Sequence, residues 1–106
     1  GPWLVTADEF GNPHDLALKT WVNGELRQDS STSQLVYDCF EQVETLTQAF
    51  TLEPGDLILT GTPSGVGIGF KPRRYLKVGD AVKVEIENIG HIENEVIDEP
   101  DDTDLI

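Results

Sequence analysis

Leu16, Leu18 and Thr20 alternate with Ala17, Lys19 and Trp21, a two-residue period that predicts a strand over 15–22. Asn23-Gly24 follows, and a second extended run is predicted over 25–29. Asn-Gly between two such runs signals a hairpin, because a type I′ turn needs positive φ at both central positions. Later, Val82, Val84 and Ile86 alternate with Lys83, Glu85 and Glu87, which predicts a strand with one wet face. Asn88-Ile89-Gly90 turns the chain, and Ile92, Val96 and Ile97 supply the partner strand. Two apolar runs without alternation, 3–6 and 57–59, read as further short strands. The period changes over 38–50, where Phe40, Val43, Leu46, Ala49 and Phe50 keep helical spacing and Gln42, Glu44 and Gln48 take the wet side. Asp38 is the predicted N-cap, with Glu41 completing a capping box. Glu53-Pro54-Gly55-Asp56 stops the helix. Six or seven strands and one helix, with no internal repeat, make an α+β, β-rich unit of roll or sandwich type.

The run 57–59 leads straight into Thr60-Gly61-Thr62-Pro63-Ser64-Gly65-Val66-Gly67-Ile68-Gly69. Glycines there let the backbone take positive φ or come close to a ligand, and binding groups favour loops at strand ends. Three familiar glycine-loop chemistries do not fit. No Gly-Lys-Ser/Thr follows Gly61 or Gly65, as a phosphate-cradling loop requires. Gly65-Val66-Gly67-Ile68-Gly69 is GxGxG rather than GxGxxG, and Pro72 and Gly79 argue against the helix that must follow it. Ser64 has Thr62 where a nucleophile elbow wants glycine. A tight loop between two strands is the plain alternative.

At 106 residues the chain is one small domain at most. It contains no methionine, so we expect it to be part of something longer. No apolar run reaches the roughly 20 residues of a membrane span, and no signal peptide is apparent. Cys39 is the single cysteine, which leaves no disulfide framework or thiolate metal site and suits a reducing cytoplasm. The net charge of −13 makes nucleic acid and anionic membranes poor partners. Lys71, Arg73, Arg74 and Lys77 are four of only seven basic residues, and they follow the glycine loop. A small anionic substrate approaching that loop meets positive charge in a repulsive field; a solvated turn explains the cluster equally well.

Several ordered segments carry a family resemblance. They are Gly1-Pro2-Trp3-Leu4-Val5-Thr6, Asn12-Pro13-His14-Asp15-Leu16, Val22-Asn23-Gly24-Glu25-Leu26-Arg27-Gln28, the run from Leu57 to Gly67, Phe70-Lys71-Pro72 and Leu76-Lys77-Val78-Gly79-Asp80. Together they resemble the C-terminal half of the fumarylacetoacetate hydrolase superfamily, in the branch of 2-hydroxyhepta-2,4-diene-1,7-dioate isomerases and acylpyruvate hydrolases. The resemblance covers 1–97 and leaves 98–106 as an acidic tail. It implies a mixed β-sandwich roll, about twice this length and dimeric. It also implies Mg²⁺ or Mn²⁺ held by three carboxylates, chelating a small anionic 2-oxo or diketo acid. The metal then stabilises the enolate formed on C–C hydrolysis, decarboxylation or keto–enol isomerisation.

In that family the metal carboxylates and an active-site lysine lie upstream of the segment matching Gly1-Pro2-Trp3, so the resemblance places none of them here. Glu85-Ile86-Glu87 and Glu93-Asn94-Glu95 are Glu-x-Glu pairs whose carboxylates share a strand face. They align with a solvent-facing hairpin of the family, and no residue is expected to bind metal or act as catalyst. Thr62 matches the threonine that hydrogen-bonds the substrate's carboxylate or oxo group, with Gly61 giving close backbone approach; Thr60 is expected to be structural. Lys71 and Arg73 are expected at the entrance. His14 falls in a surface turn, Cys39 at a helix start, and Trp3 and Trp21 in core or interface. Exposed edges and an apolar face should drive pairing with the missing half, a homodimer or aggregation. The alternative is a non-catalytic acidic β-domain that serves as a subunit-interaction fragment.

Overall fold

The computed structural model describes residues 2–101 and 103. Its elements run in the order α1 (Ala7–Phe10), β1 (Ala17–Val22), β2 (Glu25–Ser31), α2 (Cys39–Thr47), β3 (Ala81–Ile86) and β4 (Gly90–Glu95), with 3₁₀ turns at Thr32–Gln34 and Gly67–Gly69. The strands form one sheet in the order β2-β1-β3-β4, and every pairing is antiparallel. An α+β, β-rich class is therefore what the chain adopts.

The hairpin between β1 and β2 turns at Asn23 (φ 52°) and Gly24 (φ 77°), the positive pair that a type I′ turn demands. The Asn23 amide then ties this turn to β3. Its Nδ2 donates to Asp80 Oδ1 at 2.8 Å, and its Oδ1 accepts from the Ala81 N–H at 2.9 Å. The Asn23 amide donates to Asp80, and so does the Lys77 N–H; these bonds favour the ionised carboxylate and hold its pKa below the ordinary aspartate value. Strand β3, which begins 58 residues beyond Asn23, is thereby fixed beside β1. Helix α2 starts as expected: Asp38 accepts from the Phe40 and Glu41 N–H groups, and the Glu41 carboxylate accepts from the Asp38 N–H. The helix ends at Thr47, short of the expected 50.

Two expected strands are absent. Residues 3–6 form no ladder; the segment docks instead through Trp3, whose indole N–H donates to the Ile89 carbonyl at 2.8 Å. Residues 57–59 also pair with nothing among the described residues, and Leu57 and Leu59 are 80% and 92% exposed. A strand needs a neighbour's N–H and C=O groups, and none reaches this run. The short helix α1 at Ala7–Phe10 was not anticipated.

The buried hydrophobic core is small, comprising Leu16 and Val22. Trp3 is 54% exposed and Trp21 half-buried beneath the Lys83 ammonium, so neither tryptophan fills a core. The accessible surface is 8609 Å², whereas a compact monomer of this mass exposes about 5,900 Å². The radius of gyration is 16.4 Å, against about 13 Å for a compact chain of this length. Part of the exposed surface is apolar, including Val36, Phe40, Leu57 and Leu59.

Candidate functional site

One face of the sheet carries Leu18 and Thr20 from β1, Gln28 and Ser30 from β2, and Val84 and Ile86 from β3. This face floors a cleft of about 710 Å³. Leu35 to Tyr37, Cys39 and Gln42 line one side, and Thr60, Gly61, Thr62 and Pro63 line another. The volume lies in the range of small-molecule sites. No lining residue is an acid or a base, although the whole chain carries −13. An anion in this cleft would meet apolar walls, hydroxyls and amides, with no carboxylate against it.

Gln28 governs the Thr62 side. Its Nε2 donates to Thr62 Oγ1 at 2.9 Å and to the Pro63 carbonyl at 3.0 Å. A carbonyl can only accept, so the second bond fixes which end of the amide faces the loop. Thr62, occupied on a lone pair, keeps its hydroxyl proton for another acceptor. Gly61 has φ 94° and turns the chain at the rim. Gly65 (φ 107°) lies against the Arg27 carbonyl, where a Cβ atom would collide with the oxygen. The loop thus meets β2 at two consecutive residues.

The basic cluster is arranged differently from the expectation. Arg74 forms a two-pronged pair with Glu25, both N···O distances being 2.6 Å. That bond holds the Glu25 carboxyl below, and the Arg74 guanidinium above, their ordinary pKa values. Arg27 and Arg74 each lie 5.3 Å from the centre of the Phe70 ring. Arg27 Nε is 3.4 Å from Glu25 Oε2 but makes no aligned hydrogen bond. Arg73 reaches the Tyr75 hydroxyl at 3.4 Å. Neither Lys71 nor Arg73 lines the cleft.

The Glu-x-Glu pairs lie away from the cleft. Glu85 pairs with Lys83 at 2.8 Å, which lowers its pKa, and Glu87 accepts from the Ala17 N–H at 2.9 Å. Glu93 faces Lys83 and Glu95 faces Ala81 across the β3–β4 ladder. Among the described residues no three His, Cys, Asp or Glu side chains converge on one point, so this donor set does not fit a divalent cation. His14 lies in the expected turn and braces the start of α2: its Nε2 accepts from the Cys39 N–H at 3.0 Å, and its ring meets Phe40 edge-on at 4.7 Å. No helix of the described residues is long and apolar enough to cross a membrane.

Gln28 is the functional candidate that residue patterns did not single out. A plain two-residue hairpin would set Gln28 opposite Lys19, on the face away from the cleft. A bulge between Thr20 and Trp21 pairs Thr20 with Gln28 instead and leaves Arg27 unpaired. Its side chain is thereby re-aimed. Nothing in the local pattern announces the bulge.

Residues 1–97 match the family described as Fumarylacetoacetate (FAA) hydrolase C-terminal. A mitochondrial oxaloacetate tautomerase of Bos taurus is 50% identical over 97 residues, covering 92% of this chain and 31% of that protein. The fumarylacetoacetate hydrolase of psychrophilic Exiguobacterium antarcticum superposes with a TM-score of 0.88 at 48% identity, covering 92% of this chain and 35% of that one. Maleylpyruvate hydrolase of Sphingobium sp. SYK-6, solved with manganese(II) and pyruvate, gives a TM-score of 0.82 at 39% identity, over 92% and 34% of the two chains. The chain spans about a third of the length of the curated relatives it matches, rather than the half that was expected.

Proposed function

The chain belongs to the fumarylacetoacetate hydrolase family, and we propose that it forms the substrate-anion side of an active site for 2-oxo or diketo acids. The observation that carries this is the Thr62 hydroxyl, held by Gln28 at the rim of an uncharged cleft with its proton unspent. In this reading Thr62 donates to the substrate's carboxylate or oxo oxygen, and Gly61 lets the backbone approach it. The floor beside it, around Leu18, Val84 and Ile86, is apolar and offers the substrate no competing charge.

The reaction in the whole protein is C–C bond hydrolysis, decarboxylation or keto–enol isomerisation of such an acid. Tautomerase and hydrolase activities among the relatives support the isomerisation and hydrolysis ends of that range. The manganese in the maleylpyruvate hydrolase supports a divalent cation, Mg²⁺ or Mn²⁺, in the whole protein. Its ligands are proposed to come from the rest of the polypeptide, since the described residues offer no converging set. The whole protein works in the cytoplasm as a homodimer, or with this segment packed on the remainder of its chain. The outward apolar surface supports such packing.

In the whole protein, Thr62→Ala should lower kcat/KM for oxaloacetate enol–keto interconversion about 10-fold or more, chiefly by raising KM. An unchanged kcat/KM would remove Thr62 from the site. The competing reading is a non-catalytic acidic β-domain, favoured by the missing ligand cluster. It predicts that the whole protein, supplied with Mg²⁺ or Mn²⁺, turns over neither oxaloacetate nor an acylpyruvate.

A further inference from the structure

We infer that Gln28 is the positioning residue of the Thr62 loop and sets the direction in which the Thr62 hydroxyl donates. The inference rests on the reading that Thr62 binds the substrate anion.

Among the described residues, the segment 57–65 makes no backbone-to-backbone hydrogen bond. Its hydrogen bonds to the described residues are the two from Gln28, to Thr62 Oγ1 and to the Pro63 carbonyl. A hydroxyl rotor in such a segment has three staggered wells and nothing in the loop backbone to choose between them. Gln28 supplies the choice. Its N–H sits on a Thr62 lone pair, so the Thr62 proton must point away from β2. Its second N–H on Pro63 prevents the amide from turning over.

Gln28 itself stands on a firm base. It lies in β2 opposite Thr20 of β1, which is paired on its other side with Val84 of β3. The bulge that leaves Arg27 unpaired brings the Gln28 side chain to the cleft face and turns the Arg27 carbonyl toward Gly65. A register irregularity and a side-chain amide thus act together on the same loop. Bulges often re-aim a side chain beside a site in this way.

The test is a double-mutant cycle in the whole protein, with oxaloacetate as the probe substrate. Gln28→Met keeps length and loses both donors; Gln28→Glu keeps shape and can only accept. Each should raise KM about 10-fold with kcat changed less than threefold and the thermal midpoint nearly unmoved. In a Thr62→Ala background, Gln28→Met should add little further loss, because the hydroxyl it orients is gone. Independent, additive losses would overturn the inference, as would a Gln28→Met protein with wild-type KM while Thr62→Ala is impaired. Loss of the fold in both Gln28 variants would overturn it too, since the side chain would then be holding the sheet. If Thr62→Ala itself leaves KM and kcat unchanged, the reading of Thr62 fails instead, and the two failures are distinct.

Discussion

Two apolar runs of similar strength meet opposite fates. Strand β1 finds β2 on one side and β3 on the other, and Val22 at its end is 9% exposed. The run 57–59 is more continuously apolar than β1, yet it pairs with nothing among the described residues and leaves Leu59 92% exposed. The difference does not lie in propensity. It lies in whether a partner is available within this chain. Hydrophobic pattern reports that a segment is built for burial and is silent about who buries it. The surface of 8609 Å², roughly 2,700 Å² beyond that of a compact monomer, measures how much burial remains to be supplied.

That contrast can be sharpened by substitution. Leu16→Ala, at the buried residue just before β1, should cost about 2–5 kcal/mol in urea unfolding of the chain alone. Leu59→Ala should stay within about 0.5 kcal/mol in the same chain and become as costly as Leu16→Ala in the whole protein. Equal costs at Leu59 in both settings would break the comparison. The helix start should show a smaller effect: Asp38→Ala removes a full capping box and should cost about 1 kcal/mol.

The acid limb should be gentler still. Glu25, Asp80 and Glu85 all have folded pKa values lowered by their partners. Their contribution is present above their unfolded values, near pH 4, and is lost as pH falls through the lower folded values. The thermal midpoint should therefore drop below about pH 4, and Asp80→Asn should flatten that drop. A limb equally steep in Asp80→Asn would remove Asp80 as a contributor.

Much of the sheet was legible in the sequence because its signals are local. Asn23-Gly24 dictates its turn, Asp38 and Glu41 their cap, and alternation the wet faces of β1 and β3. The absent strands at 3–6 and 57–59 were not legible, since pairing depends on groups far along or outside the chain. Thr62 and Gly61 were reached by resemblance, and the structure sets both on the rim of the cleft. Gln28 escaped notice because one unpaired residue, Arg27, reverses the face on which it stands. Lys71 and Arg73 were expected at the entrance from charge alone. Neither lines the cleft, since charge fixes sign and not direction.

Amide hydrogen exchange at Leu57, Ile58 and Leu59 tests the central claim most directly, comparing the 106-residue chain with the whole protein that contains it. We predict near-unprotected exchange in the chain alone and protection of at least about 100-fold in the whole protein, where a partner completes the ladder that leads into Gly61 and Thr62. Unprotected exchange in both would mean that 57–59 is a loop in its own right. The Thr62 rim would then not be built on a buried strand at all.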